Sequence, residues 1–450
     1  MASTYLTRTP SSTGNQRTFT FSFWVKRGGL SSQQHIYCQS YGSEDYQFRM
    51  EFTSSDEFRL YNSKGASDAI NLKTNRKFRD TSSWYAITIA IDTTQGTEAN
   101  RAKIYVNGVQ ETSFATATYP TQNLEMDANA GVAQLIGVQY KGNYDRYFDG
   151  SLSHFHFIEA TQYQASDFGE TDSTSGIWKP KTAPSVTYGT NGYFLKMENS
   201  GAMGTDSSGN SNTFTVSGNL TQNVDTPSNN FATWNPLDNY YPAMTLSYGN
   251  TRALTVTNKY TYTPTTLGMT SGKYYAEIKC VAKSSSQIEM IAGITSTSSA
   301  STTDELGHFA NDYGYYSNTG EYRNNNTLSS YGNSWTQDDI IGIAVDLDNN
   351  KLYFSKNGTW QNSGNPESGA TGTGAISITD PTSTPKGAYF FAVTNWSASS
   401  NATFDANFGQ GYFGTTQVAS AGTSPSGGGI FEFDCPNGYQ ALCTKGINSF

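Results

Sequence analysis

Apolar and polar residues alternate in several short segments of the first third of the chain. The apolar side chains stand two residues apart at residues 19–25 and again at residues 85–91. Because successive side chains of a strand point to opposite faces, this spacing predicts strands with one buried face. A third segment, residues 103–106, runs into Asn107-Gly108, a pair typical of a tight hairpin turn. These patterns predict an antiparallel β-sandwich, and no helical period of useful length accompanies them.

The last part of the chain shows the same alternation. Residues 274–280 alternate between apolar and polar side chains, and residues 341–347 contain one strongly apolar face. Asn349-Asn350 suits a two-residue turn into residues 351–354, and Asn357-Gly358 ends that return strand. The sequence therefore predicts an all-β protein with two antiparallel sandwiches.

Between the two patterned parts, Gly, Ser, Asn and Thr dominate the sequence. At 450 residues the chain is also too long for one compact core. We predict a first sandwich at residues 1–180, a connecting segment at 181–250, a second sandwich at 251–415, and a Gly/Ser linker with a C-terminal tail at 416–450. A short apolar stretch at residues 193–195 leaves open whether the connecting segment completes the first sandwich.

Composition narrows the range of partners. Charged residues make up 14% of the chain, against roughly 25% in an average soluble domain, so neutral polar side chains must cover much of the surface. The net charge of -9 and the lack of a Lys/Arg cluster argue against nucleic acid as a partner. The first ten residues lack the apolar core of a signal peptide, and no stretch is long and apolar enough to cross a membrane. We therefore expect synthesis in a cytoplasm and no membrane insertion.

Four cysteines are too few for a disulfide framework in a chain of this length. Cys38 and Cys280 lie within predicted strands and are best interpreted as buried thiols. Cys435 and Cys443 flank a Pro-Asn-Gly turn, so they could pair outside a cell or stay reduced inside one. The sequence leaves both states open.

Several segments of the first half are similar to laminin G-like jelly rolls of the concanavalin type. They are FTFSFWVK at 19–26, WYAITIAID at 84–92, KIYVNG at 103–108 and YFDGSL at 147–152. This resemblance covers most of residues 15–170 and implies a jelly-roll fold. The run DSSGN at 206–210 is similar to the entry segment of such domains, although here it follows the other segments. It either completes the first sandwich in a rearranged order or serves as a connector.

The second half is similar to SPRY domains. The matching segments are GKYYAEI at 272–278, DIIGIAVDLD at 339–348, LYFSKNG at 352–358 and NFGQ at 407–410. The resemblance implies a second antiparallel sandwich with binding surfaces in its loops.

The pairing of these two domains resembles virion proteins of marine tailed phages. Two further motifs carry this resemblance, DTPSNN at 225–230 between the domains and GYQALC at 438–443 near the end. What it implies is a structural or adhesive protein of the virion that contacts other virion proteins. The analogy with fibres implies a homo-oligomer, for which a trimer is one candidate.

The sequence contains no convincing catalytic residues. Concanavalin-type glycosidases aim acidic residues at one sugar from alternate strand positions, but the segment EMDAN at 125–129 ends in an amide. His154 and His156 lie two apart on a predicted strand, where an ordinary solvent face is favoured over a metal site. Asp206 and Asn210 are weak calcium candidates, with a metal-free turn favoured. We expect a protein without enzymatic activity, and no cofactor beyond that calcium candidate.

Two groups of residues are candidates for ligand binding. The first group shares an apparent loop with charged and amide side chains and consists of Tyr140, Tyr144 and Tyr147. The second group consists of Tyr313, Tyr315, Tyr316, Tyr322 and Arg323. Flat aromatic rings beside polar groups can stack on sugar rings. The same residue types are enriched at protein interfaces.

These observations together predict a non-enzymatic phage virion protein, namely a tail-fibre or receptor-binding adhesin that recognises host-surface glycans. The alternative is a capsid-decorating or appendage structural protein that acts through protein–protein contacts. A polysaccharide depolymerase is less supported, because it would need acidic residues that the sequence does not offer.

Overall fold

The computed structural model describes residues 3–65, 67–239, 243–257, 262–285, 289–298, 304–396, 400–419, 422–423 and 428–449. The chain is 44% strand and 6% helix, which confirms the predicted all-β class. It divides into two compact units, Met1–Gln222 and Asn223–Phe450. In the described ranges, no helix is long and apolar enough to span a bilayer.

The strands of the first unit are numbered in chain order. They are β1 Tyr5–Arg8, β2 Thr18–Arg27, β3 Gln34–Ser40, β4 Tyr46–Phe52, β5 Glu57–Lys64, β6 Ser67–Lys77, β7 Tyr85–Asp92, β8 Ala102–Val106, β9 Val109–Gln110, β10 Phe114–Thr118, β11 Gln134–Ile136, β12 Gln139–Tyr140, β13 Tyr144–Asp145, β14 Gly150–Glu159, β15 Gly169–Thr171, β16 Trp178–Pro180, β17 Tyr193–Leu195 and β18 Thr215–Ser217. Two one-turn helices, α1 Glu98–Arg101 and α2 Ala165–Phe168, lie between them.

Two sheets form the first sandwich. Eight strands follow the order β10-β6-β5-β4-β3-β11-β1-β18, and six follow the order β17-β14-β2-β7-β8-β9. β2 and β7 are neighbours in the six-stranded sheet, and their predicted apolar faces both point into the core. Phe21 lies opposite Ile89, and both side chains are fully buried. Burial of one large apolar side chain stabilises a fold by roughly 1.5–3 kcal/mol. The row of aromatic and aliphatic side chains between the sheets is therefore the main stabilising feature of this unit.

The segment after residue 180 completes the first sandwich. β17 extends the six-stranded sheet by pairing with β14, and β18 forms an edge of the eight-stranded sheet by pairing with β1. Asp206 forms an isolated bridge with Leu195, the last residue of β17. The first unit thus extends to Gln222, beyond the predicted end at residue 180. The DSSGN run belongs to the sandwich in a rearranged order, which was one of the two alternatives.

The strands of the second unit continue the numbering. They are β19 Thr245–Ser247, β20 Arg252–Leu254, β21 Thr263–Pro264, β22 Lys273–Lys283, β23 Glu289–Thr295, β24 Asp312–Tyr316, β25 Glu321–Asn324, β26 Thr327–Ser330, β27 Ile340–Asp346, β28 Lys351–Lys356, β29 Thr359–Trp360, β30 Ile376–Ser377, β31 Phe390–Trp396, β32 Ala402–Asn407, β33 Tyr412–Phe413, β34 Thr416–Gln417, β35 Gly422–Thr423, β36 Ile430–Phe431 and β37 Gln440–Ala441. The helices are α3 Thr444–Ile447 and the 3-10 turns Pro236–Asp238, Gln361–Ser363, Pro366–Thr371 and Pro381–Ser383.

The second unit also contains two large sheets. One follows the path β19-β20-β32-β22-β27-β28-β29, with β30 beside β28 and β37 beside β22, and the other follows β21-β31-β23-β24-β25-β26. Ile278 of β22 lies opposite Ile341 of β27, and both are fully buried in the core. The two most strongly patterned segments of the second half are therefore strands, as predicted, and both lie in the middle of their sheet.

The beginning and end of the second unit pair with each other. The backbone N–H of Thr444 donates to the carbonyl of Asn230 at 2.9 Å, and the N–H of Lys445 donates to the side-chain oxygen of Asn229 at 3.2 Å. The GYQALC motif pairs with the residues that follow DTPSNN, since the N–H of Ala232 donates to the carbonyl of Leu442 at 2.9 Å. The tail therefore belongs to the second unit. The predicted Gly/Ser linker at the start of residues 416–450 lies partly outside the described residues.

A buried carboxylate lies under this tail. Glu277 of β22 accepts hydrogen bonds from the backbone N–H groups of Glu432 and Phe433, both at 2.8 Å. Its other donors are Asn407 Nδ2 at 3.1 Å and the Tyr275 hydroxyl at 3.2 Å. Burial raises the pKa of Glu277 to about 7, although these four donors oppose the shift.

All four cysteines are free and buried. Cys435 and Cys443 belong to one apolar cluster beneath the tail, and burial raises the pKa of both thiols. In this structure they are reduced, which is one of the two states that the sequence left open.

Candidate binding site

The first predicted tyrosine group lies on a short β-hairpin. β12 pairs with β13, so that Tyr140 stands directly opposite Tyr144, and their ring centroids are 4.9 Å apart. Gly142 adopts a φ of +97° in the turn between them, a conformation that glycine adopts without steric cost. Tyr144 is exposed, whereas Tyr140 and Tyr147 are half-buried.

A tyrosine from the N-terminal strand completes this group. Tyr5 of β1 stacks on Tyr144 with centroids 4.9 Å apart and an interplanar angle of 23°, and it lies 6.4 Å from the ring of Tyr147. A hydrogen bond with Tyr5, followed by burial, raises the pKa of Tyr144. Tyr5, Tyr140 and Tyr147 also pack on a small apolar cluster of Cys38, Leu135 and Val138. The rings are thus held from below by the outer face of the eight-stranded sheet.

The turn between β3 and β4, which is next to the hairpin, carries two more exposed rings. Tyr41 and Tyr46, which flank this turn, are 55% and 47% exposed, and Tyr144 is 45% exposed. In the described part of the chain, these are the three most exposed aromatic side chains. A Cβ placed on Gly42 would lie 3.9 Å from the ring of Tyr140, so the two turns are neighbours. We call Tyr5, Tyr41, Tyr46, Tyr140, Tyr144 and Tyr147 the tyrosine edge.

Charged and amide side chains fasten the two turns to each other. Lys141 Nζ lies 2.9 Å from the carboxylate of Glu44 and 3.3 Å from that of Asp145. The hydrogen bond from Lys141 holds the pKa of Glu44 below its usual value. On the other strand of the hairpin, Arg146 Nη1 donates to Gln139 Oε1 at 2.6 Å. The two turns are therefore joined by an ion pair between Lys141 and Glu44.

A buried ionic network lies on the same sheet, on the strands next to the hairpin. His35 Nε2 is 2.7 Å from a carboxylate oxygen of Glu51, Arg49 Nε is 3.2 Å from it, and Arg59 pairs with the other oxygen. Burial alone would raise the pKa of Glu51, but His35 and the two guanidinium groups outweigh it and lower that pKa. The backbone N–H of His35 donates to the carbonyl of Arg146 at 3.0 Å, which ties the hairpin to this network.

The second predicted tyrosine group is not a loop. Tyr313, Tyr315 and Tyr316 belong to β24 and are 4%, 0% and 0% exposed. Tyr315 stacks on Phe354 with centroids 5.1 Å apart inside the main core, and Tyr316 packs in a second cluster with Ile291. These three side chains are inaccessible to a ligand, which excludes them as the ligand-binding residues that the sequence suggested. In the sequence, the alternation of Tyr313 and Tyr315 with Gly314 is the pattern that indicates a strand here.

Tyr322 and Arg323 of β25 have structural contacts as well. Tyr322 is half-buried, with its ring centroid 6.0 Å from that of Tyr331. Arg323 pairs with Glu305 and lies over the ring of Trp396 at 5.4 Å. Its guanidinium thus connects the segment around Glu305 to the sheet and is engaged in structural contacts.

The two calcium candidates are engaged in a turn. The carboxylate of Asp206 accepts hydrogen bonds from the backbone N–H groups of Phe194, Ser208 and Asn212 at 2.8–2.9 Å. The side-chain amide of Asn210 donates to the carbonyl of Gly192 at 2.9 Å. These contacts fasten the turn to β17. Within the described ranges, no group of three or more His, Cys, Asp or Glu is arranged to hold a metal ion.

A β-bulge separates the two histidines of β14. The pairing with β2 shifts register between Ser153 and His156, and His154 has a φ of +48°. His156 is only 3% exposed, and its ring stacks on Phe194 with centroids 3.9 Å apart. The expected solvent face is therefore wrong for His156, whose pKa is lowered by burial.

The acidic residues of the EMDAN segment differ in their surroundings. Glu125 is exposed and pairs with Arg17 at 3.1 Å, whereas Asp127 is buried and pairs with Lys64 at 3.1 Å. Asn129, which stands at the third position of the glycosidase pattern, donates to Glu159 Oε1 at 3.0 Å.

Comparison with known proteins identifies a domain in each unit. Residues 2–162 match the model of the concanavalin A-like lectin/glucanases superfamily, and residues 273–374 match the model of the SPRY domain. ATP-dependent RNA helicase DDX1 from Xenopus laevis is 35% identical over 96 residues. That match covers 21% of this chain, and the chain spans only 12% of the length of this curated relative.

Solved structures with some likeness to the chain include the SPRY domain of human HERC1, at 15% identity and a TM-score of 0.29, covering 38% of this chain and 96% of that one. A SAP-like pentraxin from Limulus polyphemus has 16% identity and a TM-score of 0.27, covering 36% and 71% of the two chains. A putative carbohydrate-binding protein from Bacteroides ovatus has 14% identity and a TM-score of 0.29, covering 48% and 57%. The family matches show that this chain carries a laminin G-like domain of the concanavalin type, followed by a SPRY domain.

Proposed function

We propose that this chain is a non-enzymatic adhesin that recognises a host-surface glycan through the tyrosine edge of its laminin G-like domain. The observation that carries the proposal is the placement of the three most exposed aromatic rings of the described chain on two adjacent turns. In the proposal the protein is part of a phage virion, as a tail fibre or receptor-binding protein that also contacts other virion proteins. It needs no cofactor for this role.

The chemistry of the tyrosine edge suits a sugar. Each tyrosine offers a flat apolar face for the C–H groups of a pyranose ring and a hydroxyl at its rim for hydrogen bonds. The exposed side chain of Asn143 and the ammonium group of Lys141 lie within the same hairpin. Ligand sites combine apolar surface with a few polar groups in this way.

Rigidity of the edge also supports the proposal. Ordering a flexible side chain or loop on binding costs free energy. The Lys141–Glu44 contact joins the two turns, and the stack of Tyr5 on Tyr144 supports the ring of Tyr144 before any ligand arrives. A weakly binding sugar gains most from a surface that does not have to be ordered.

Glycan binding tests the proposal directly. We would titrate purified full-length chain against an array of bacterial surface polysaccharides and compare Tyr144→Ala with the wild type. Loss of a central aromatic contact costs about 2 kcal/mol or more, which is roughly a thirtyfold loss of affinity. Tyr248→Ala is the matched control, because Tyr248 is an exposed tyrosine of the second unit, at 37%. The control is expected to bind like the wild type.

Two outcomes would reject the glycan proposal. One is that the wild type binds no polysaccharide on the array, and the other is that Tyr144→Ala binds as tightly as the wild type. The same samples test the absence of catalysis, because a depolymerase would release new reducing ends from a bound capsule polysaccharide. We expect none.

The alternative function is that of a capsid-decorating or appendage structural protein. The observation in its favour is that tyrosine, the residue type of the tyrosine edge, is also enriched in protein–protein interfaces. Under this alternative, Tyr144→Ala would weaken the attachment of the chain to the particle without any glycan being bound.

A further inference from the structure

We propose that the glycan recognised by the tyrosine edge is one without acidic groups, so that neutral polysaccharides bind and those containing uronic acids or phosphates are disfavoured. This inference names the ligand class of the same surface and rests on the proposed function. It is carried by the charged side chains of the two turns, residues 41–46 and residues 139–147.

The two turns contain more carboxylates than cations. The carboxylates are Glu44, Asp45 and Asp145, and the cations are Lys141 and Arg146. Three negative and two positive charges give these turns a formal net charge of -1. The exposed rings therefore project from a surface that repels a negatively charged ligand group.

Both cations of the turns are already paired within the site. Lys141 Nζ lies 2.9 Å from the carboxylate of Glu44 and 3.3 Å from that of Asp145. Arg146 Nη1 lies 3.7 Å from the carboxylate of Glu44 and donates to Gln139 Oε1 at 2.6 Å. An acidic sugar would have to displace Glu44 in order to gain an ion pair with Lys141. That exchange returns one carboxylate to solvent for each one that is bound, so it adds little affinity.

One more lysine stands beside the exposed rings. Lys64 of β5 lies directly opposite Tyr46 of β4 in the eight-stranded sheet. Its ammonium group is 3.1 Å from the carboxylate of Asp127, which is buried. Lys64 is therefore also paired, and it does not compensate the surplus negative charge of the turns.

Two of the negative charges are not fully compensated. Asp45 is exposed and, within the described residues, has no ion pair or hydrogen bond. It lies beside Tyr46, in the turn that is closed by the hydrogen bond from the N–H of Tyr41 to the carbonyl of Tyr46, at 3.1 Å. Asp145 Oδ1 is shielded from solvent and has no hydrogen-bond donor in the described part of the chain. A shielded charge is screened less by water, which strengthens the repulsion of a ligand carboxylate.

A neutral sugar avoids this repulsion and still finds polar partners. Asn143 is exposed at the tip of the hairpin. Its side-chain amide can both donate and accept, which matches the hydroxyl groups of a neutral sugar. Two like charges 4 Å apart in water repel each other enough to weaken binding by about fivefold. That factor is the discrimination expected from one uncompensated carboxylate.

The test uses one polysaccharide in two charge states. A neutral polysaccharide that binds the full-length chain is compared with the same polysaccharide after oxidation of its primary hydroxyl groups to carboxylates. At low ionic strength the wild type is expected to bind the unoxidised form about fivefold more tightly. This ratio of affinities should shrink in about 1 M salt, where charges are screened within about 3 Å.

Variants of Asp45 assign the discrimination to the turns. Asp45→Asn changes their net charge from -1 to 0 and should remove most of the preference for the unoxidised form. Asp45→Lys changes it from -1 to +1 and should reverse the preference. The matched control is Glu98→Gln, because Glu98 is an exposed carboxylate of α1, which follows β7 of the other sheet. It changes the charge of the whole chain as much as Asp45→Asn does and should keep the wild-type ratio.

Failure of the inference can be distinguished from failure of the proposed function. If no polysaccharide binds, glycan recognition itself is rejected, and the inference is rejected with it. If the oxidised form binds as tightly as the unoxidised form, the tyrosine edge is still an adhesive surface and only the inference is overturned. It is also overturned if Asp45→Asn and Glu98→Gln change the ratio equally. Circular dichroism spectra of the variants should match the wild type, because both substituted side chains are exposed.

Discussion

Two clusters of tyrosines, one in each unit, look alike in the sequence and differ in the structure. Tyr140 and Tyr144 stand on a hairpin outside the sandwich, and one of them is 45% exposed. Tyr313 and Tyr315 stand on a strand inside a core, with exposures of 4% and 0%. The comparison teaches that density of tyrosine does not distinguish a binding surface from a core. What distinguishes them is whether the rings recur every second residue along one strand or are gathered from separate turns.

The largest expected effect is a difference in stability between the two clusters. Tyr315→Ala would leave a cavity beside Phe354 and should lower the free energy of unfolding of the second unit by about 3–5 kcal/mol. Tyr144→Ala removes a largely exposed ring and should change stability by about 0.5 kcal/mol or less. Urea and thermal unfolding of both variants measure this difference. Equal destabilisation by the two substitutions would contradict the division into core and surface tyrosines.

Buried carboxylates give a second contrast between the units. Glu51 of the first unit is paired with His35 and two arginines, and its pKa is lowered. Glu277 of the second unit receives only neutral donors among its hydrogen bonds, and burial raises its pKa. A lowered carboxyl pKa gives stability that is present above the unfolded pKa and lost on acidification. A raised one has the opposite sign, because the folded state then binds the proton more tightly than the unfolded state.

We therefore expect opposite pH responses from the two units. The pKa of Glu277 is about 7 in the folded state against 4.5 as its ordinary value. The free energy of unfolding of the second unit should therefore decrease as the pH rises from about 4.5 to about 7, by about 3 kcal/mol at most. The first unit should instead lose stability as the pH falls below about 4.5. Glu51 then binds a proton in the unfolded state more readily than in the folded state, where its pKa is lowered. Calorimetry across this range measures both, with Tyr315→Ala used to identify the transition of the second unit.

Glu277→Gln is the control for this pH response. Glutamine offers one acceptor oxygen where the carboxylate offers two, so its absolute stability is not the readout. The readout is the slope of stability against pH, which should flatten in the second unit and remain unchanged in the first. An unchanged slope in the second unit would show that another group causes the pH dependence.

Much of the fold could be predicted from the sequence, because strands with one buried face impose a two-residue period. Residues 19–25 and 341–347 show that period clearly, and both are central strands. The same period does not predict which polar residues are buried. Glu277 alternates correctly with the core of β22, yet the tail covers its side of the sheet, and nothing local to β22 reveals that cover.

The candidate site could be predicted only in part. Tyr140, Tyr144 and Tyr147 are close in sequence, and their shared loop was visible. Tyr5 lies 135 residues before Tyr140 and Tyr41 lies 99 residues before it. Only the pairing of β1, β3 and β11 brings their parts of the chain next to the hairpin. Long-range pairing of this kind cannot be derived from local patterns. The prediction of a solvent face for the histidines of β14 failed for a different reason, because a bulge shifts the register between Ser153 and His156.

The smallest expected effect concerns the base of the tyrosine edge. Lys141→Ala removes the exposed contacts with Glu44 and Asp145, and pairs of this kind contribute little to stability. We expect an unchanged thermal midpoint and a glycan affinity that is weaker by a few fold, because the two turns are no longer held in the binding arrangement. Lys196→Ala is a fitting control, since Lys196 is another half-exposed lysine of the first unit that pairs with a nearby glutamate at 3.4 Å. If Lys141→Ala binds like this control, the rings themselves determine affinity, and cross-linking of the two turns has no part in recognition.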